Sequence, residues 1–71
     1  MSVLRRGEKI KWDGTIERVL KIEVCSEGSL MGVQVNAIVW EMVHHEESNV
    51  IIDLSNGYWA KGINVKPITN E

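Results

Sequence analysis

The sequence predicts an all-β fold: a small five-stranded barrel with a bent, long central strand and a 3-10 turn ahead of the last strand. Three observations point there. The apolar residues are mainly Val, Ile, Leu and Trp with no Phe, so β-branched side chains that suit a pleated surface are plentiful. Apolar and polar residues alternate with period two over several segments. Asp13-Gly14 and Asn56-Gly57, pairs that tight β-turns favour, fall between such segments. A chain of 71 residues supports one domain with a small core and little spare stability. Its 44% apolar and 25% charged residues are too apolar a mixture for a disordered segment. Residues 1–71 therefore read as a single module, with only 1–6 and 69–71 as loose ends.

The elements follow in order. Ile10-Lys11-Trp12 alternates and leads into Asp13-Gly14, whose residues accept the positive φ of a type I′ turn. From Thr15 to Val24 the pattern resumes, with Ile16, Leu20, Ile22 and Val24 expected on the core face and Arg18 as the exception, which predicts a bulge or an edge there. Ser26 to Ser29 is the next loop. Leu30 to Val43 is the longest extended segment, and both of its faces are apolar: Val33, Val35, Ala37 and Val39 on one parity, Ile38, Trp40 and Met42 on the other. A strand that bends at a bulge to serve two packed sheets accounts for this pattern, as does a second face that meets a partner. A helix over residues 36–47 competes, but Val35, Ile38, Val39, Trp40 and Val43 are poor helix formers and no clear cap precedes them. Val50 to Leu54 is a compact strand closed by Ser55-Asn56-Gly57, and Ile63 to Ile68 finishes the domain with Pro67 near the exit, where a missing N–H is harmless.

Five short strands in so short a chain leave few compact arrangements, and closing the sheet removes exposed edges. The ending Gly57-Tyr58-Trp59-Ala60-Lys61-Gly62-Ile63-Asn64-Val65-Lys66-Pro67-Ile68 resembles the close of an SH3-like small barrel: turn, strand, 3-10 turn, short last strand. The opening Gly7-Glu8-Lys9-Ile10-Lys11-Trp12-Asp13-Gly14 is similar to the first strand of such barrels. The chain also resembles small proteins encoded by phages and prophages. It departs from signalling SH3 domains in having no ALYDY-like segment and only one tyrosine, Tyr58, so proline-rich peptide binding is not implied. Nor does the stretch after Asp13-Gly14 carry the glycine pattern of ribosomal KOW-type barrels.

Charge is uneven. Residues 1–21 hold six cations against three carboxylates, a net +3, whereas the remainder nets −5. A formal charge of −2 argues against a protein built mainly to grip phosphate backbones. Arg5, Arg6, Lys9, Lys11 and Arg18 would nonetheless form a local nucleic-acid patch if folding gathers them. Lone Cys25 excludes an internal disulfide. The basic residues near the start interrupt any export signal, and the apolar-rich run Val33 to Val43 is about half the length of a membrane helix. A cytoplasmic protein without a membrane segment is expected.

The stretch Val43-His44-His45-Glu46-Glu47-Ser48-Asn49 raises the question of chemistry. Adjacent residues on a strand point to opposite sides, so His44 and His45 do not converge on one ion, and Cys25, Glu46 and Glu47 complete no zinc-ligand spacing. Glu46 and Glu47 at a loop tip would be hydrated, with little to shift them toward acid–base work. The stretch therefore reads as a polar hairpin tip. No activating motif surrounds Cys25, and nucleophile-elbow, P-loop and dinucleotide fingerprints are missing from the sequence. The expectation is a protein that is not an enzyme, with no metal and no cofactor.

The tryptophans carry more information, because a small core rarely needs three. Trp12, Trp40, Tyr58 and Trp59 are the candidate binding residues. Alternation sends one of Tyr58 and Trp59 inward and the other outward, so at least one aromatic is expected on the surface. The expected function is a protein-binding or self-assembling module, a homo-oligomer being one form of it. The alternative is a nucleic-acid or nucleotide binder that combines the basic residues with an exposed aromatic.

Overall fold

The Asp13-Gly14 turn forms as the pattern predicts: Asp13 has φ 51° and Gly14 φ 81°. It joins β2, Lys9–Trp12, to β3, Thr15–Cys25, in an antiparallel hairpin that sets Ile10 opposite Glu17 and Trp12 opposite Thr15. This computed structural model describes residues 2–25 and 32–68. The remaining described elements are β1 (Val3–Arg5), β4 (Gly32–Val35), β5 (Ala37–Val39), a single helical turn α1 (Trp40–Val43), β6 (Val50–Leu54), β7 (Trp59–Lys61), a 3-10 turn Gly62–Asn64, and β8 (Val65–Pro67).

The fold is mostly β, but the expected count of five strands and their closure are corrected. Among the described residues, eight strands form two open sheets. β1 pairs with β5, and a larger sheet runs β7-β6-β3-β2-β8 with β4 added to β3. β7 and β8 end the larger order without pairing to each other, the 3-10 turn lying between them in the chain.

The long bent strand exists at a different place from the one expected. β3, with eleven residues, pairs through its first part with β2 and through its second with β4 and β6, so one strand serves both ends of the sheet. Its register against β6 shifts between Val19 and Lys21. The shift moves Leu20 out of the ladder and flips the inward parity, so Val19 and Ile22 are both buried. Ile16 and Leu20, expected on the core face, are 55% and 53% exposed. Arg18 consequently lies on the outer side, and the irregularity falls just beyond it.

Residues 32–43 do not form one strand. β4 joins the large sheet and β5 the small one, with Asn36 between them, and the chain then makes one helical turn. The two apolar faces of this segment are thus used by two different pairings and by Val43, which the turn buries. The opening residues, expected as a loose end, form β1: Leu4 pairs with Ile38 and both are in the core. The Ser26–Ser29 loop, Leu30 and residues 69–71 lie outside the described residues.

Among the described residues, the core has eleven buried apolar side chains, including Ile10, Ile22, Ile52 and Val65 at zero exposure, with Trp12 and Trp40 packed against it. β6 supplies Val50, Ile52 and Leu54 from alternate positions, as its period-two pattern predicts. The β6–β7 hairpin departs from a two-residue turn. Gly57 alone has positive φ, at 91°, its N–H bonds the Leu54 carbonyl at 3.1 Å, and Leu54 N–H bonds the Tyr58 carbonyl at 2.8 Å. This is a longer turn in which glycine takes the left-handed position. Among the described residues no helix is long and apolar enough to cross a membrane.

Candidate functional site: an aromatic groove and a cationic sheet face

The two histidines do not sit at a hairpin tip. His44 follows α1, where its N–H bonds the Trp40 carbonyl at 3.1 Å and its ring lies 5.2 Å from the Trp40 ring. Its Nε2 is 2.6 Å from the Val65 carbonyl oxygen. A carbonyl only accepts, so Nε2 carries the hydrogen and donates it. His44 thus ties the helical turn to the last strand. His45 instead accepts a bond at Nδ1 from Glu47 N–H, at 3.2 Å, and so stabilises the tight turn that ends at Asn49, φ 48°. Adjacency in sequence places the two rings in separate backbone contacts. A small pocket beside this turn is lined by His45, Glu46, Lys61 and Ile63 among others.

His44→Ala is expected to cost about 1 kcal/mol, the net worth of one hydrogen bond, plus the lost ring contact with Trp40. Urea unfolding of the variant and of His44→Phe, which keeps an aromatic ring but no donor, separates the two contributions. Equal stability of the wild type and both variants would show that the bond to Val65 contributes nothing.

Tyr58 and Trp59 are both on the surface, 65% and 59% exposed. Alternation is a rule for strand interiors, and Tyr58 precedes β7: its N–H bonds Asn56 Oδ1 at 2.9 Å and its ring rests on Trp12, centroids 6.0 Å apart. The expectation that one of the pair points inward is corrected: among the described residues both rings stay exposed. Leu20, expelled by the register shift, lines a shallow groove together with Asp53, Gly57, Tyr58 and Trp59. Leu20 was unreadable as a site residue because its outward position depends on that shift.

Trp40 lies elsewhere. Half-buried on α1, it lines a second groove with Val3, Lys9, Arg18, Pro67 and Ile68. The four aromatic candidates therefore divide into Trp12, Tyr58 and Trp59 in one region and Trp40 in another.

The predicted basic patch also divides. Lys9 and Lys11 alternate with buried Ile10 and share the outer face of β2, where Lys9 is paired with Arg18 and Lys11 with Ile16. Arg5 belongs to β1 in the other sheet, and Arg6 to the turn after it. Lys66, absent from the predicted patch, joins it: β8 places Lys66 directly opposite Lys11. Arg18 Nη1 donates to the Gly7 carbonyl, which fixes one side of this face. Cys25 is half-buried at the end of β3.

The fold and surface define an all-β module with one aromatic groove and one cationic sheet face. Compared with known proteins, the chain matches no family model, no curated protein and no solved structure.

Proposed function

We propose that this protein is a non-enzymatic protein-binding module of SH3-like type with open sheets, which docks another protein surface, in the simplest case a second copy of itself, through Leu20, Tyr58 and Trp59. The observation that carries the reading is the exposure of two neighbouring aromatics, next to an outward leucine, on one shallow groove. Exposed aromatics of this kind are the usual anchors of interfaces, because they cover a large area and lose few rotamers on binding. β7 supports the reading further. It carries Trp59 and ends the strand order among the described residues, an edge that suits the addition of a strand from another molecule. The order β7-β6-β3-β2-β8, with the 3-10 turn before the last strand, supports the SH3-like type. A small accessory protein of the bacterial or phage cytoplasm is the setting that fits such a module.

Sedimentation equilibrium tests it. The wild type is expected to self-associate with a concentration-dependent mass approaching twice 8.1 kDa. Trp59→Ala, whose side chain projects from the fold, is expected to keep the wild-type circular dichroism and sediment as a monomer. A wild type that stays monomeric at millimolar concentration, or a Trp59→Ala dimer of unchanged strength, would rule out self-association through this groove.

A further inference from the structure

We propose that the outer face of β8, β2 and β3 is a binding surface for single-stranded nucleic acid, separate from the aromatic groove. The register puts Lys66 directly opposite Lys11 and Lys9 directly opposite Arg18, four exposed cations in two cross-strand pairs. Side chains so paired start about 5 Å apart at Cβ, and like charges in that position destabilise a sheet. Of the four, only Arg18 makes an intramolecular side-chain bond among the described residues, to the Gly7 carbonyl. The only ion pair among the described residues is Lys21–Asp53 at 3.5 Å, so none of these four cations has a carboxylate partner there. A polyanion supplies the missing counter-charge.

Net charge does not oppose this, because most acids among the described residues are placed elsewhere, and Glu17, on β3 itself, has the opposite parity, that of Ile10, and accepts a bond from Ser55 Oγ at 3.0 Å. Glu41, Glu46 and Glu47 lie on α1 and the turn after it, Glu23 and Asp53 on the far half of the large sheet. Asp13 and Glu8 flank the cationic face at its margins, Asp13 near Lys11 and Lys66, Glu8 near Lys9. They narrow the site to its centre.

The apolar neighbours choose the form of nucleic acid. Ile16 stands beside Lys11, and Ile68 and Trp40 line the groove that also holds Lys9 and Arg18. Duplex presents phosphates and sugars on its outside, which offer nothing to these side chains. A single strand presents phosphates at one edge and unstacked bases at the other, and so engages lysines and apolar side chains together.

Fluorescence anisotropy with an end-labelled oligothymidylate, over a range of salt concentrations, tests the assignment on the full chain. Four phosphate contacts on a single strand predict a slope of log affinity against log salt near about −2.8. Lys66→Glu turns a repulsive cross-strand pair into an attractive one, so it is expected to raise the melting temperature while weakening binding about tenfold and flattening the slope by about 1. Arg5→Gln, on β1 in the other sheet, is expected to bind as the wild type does. Four outcomes would overturn the proposal: no binding at low salt, a Lys66→Glu variant that binds unchanged, duplex bound as tightly as the single strand, or polyglutamate bound as tightly as the oligonucleotide.

Discussion

Ile22→Ala is expected to leave the protein largely unfolded at room temperature. Ile22 is fully buried in the second half of β3, where it pairs with Val35 on β4 and with Ile52 on β6. Removing three buried carbons from such a site costs about 2–5 kcal/mol, the transfer term plus the cavity that the surroundings fail to fill. A single core in a chain of this size supplies roughly 3–5 kcal/mol in all, so the loss is comparable with the whole stability. Circular dichroism and urea titration measure it. The contrast is Leu20→Ala, the same kind of truncation on the same strand, which should stay within about 0.5 kcal/mol of wild type because Leu20 is exposed. A folded Ile22→Ala variant with a urea midpoint near that of Leu20→Ala would show that β3 is not the centre of the core.

Gly62→Ala is the second large effect. A Cβ at Gly62 would sit 2.5 Å from the Val43 carbonyl oxygen, 3.0 Å from Val43 Cγ1 and 3.2 Å from Val50 Cβ. Two of those neighbours are β-branched side chains and the nearest is backbone, so no flexible group can swing away. The 3-10 turn and α1 must separate, which also strains the His44 bond to Val65 that spans them. Overpacking of this kind costs about 1–3 kcal/mol. In a domain of this length that lowers the melting temperature by about 5–20 °C. Gly57→Ala isolates the cause. Gly57 has positive φ but nothing within 4 Å of the added carbon, so its penalty is backbone strain alone, about 1 kcal/mol. If Gly62→Ala melts at or above Gly57→Ala, close packing between Val43 and the 3-10 turn is refuted.

Both variants bear on how the fold is encoded. Gly62 is an ordinary φ position, so nothing local demands glycine there. The demand comes from Val43, nineteen residues earlier, and appears only once α1 is packed on the 3-10 turn. Ile22 was legible as a core residue because it alternates with Lys21 and Glu23 beyond the register shift. Ile16 and Leu20 were misassigned because the same alternation was extended backward through that shift, and a one-residue slip reverses the face of every side chain beyond it. The candidate site divides in the same way. From their adjacency one of Tyr58 and Trp59 was readable as a surface aromatic, whereas the exposure of both, and Leu20 in their groove, were not. The cationic face was half readable. Lys9, Lys11 and Arg18 lie close in sequence, but Lys66 arrives through the β2–β8 pairing, and Arg5 and Arg6 leave through the β1–β5 pairing.

Local rules suffice where a few consecutive residues decide the outcome. Asp13-Gly14 specifies its own turn through the φ values those two residues tolerate, Val50 to Leu54 specifies a strand with one buried face, and Pro67 specifies the end of pairing near the exit. The predominance of β structure was determined at this level. Which strands meet is settled by long-range packing: the slip between Val19 and Lys21, the division of residues 32–43 between two sheets and a helical turn, and the tie from His44 to Val65. These are contacts between segments distant in the chain, selected by the joint packing of eleven core side chains. Their energies depend on partners that no short window of sequence contains.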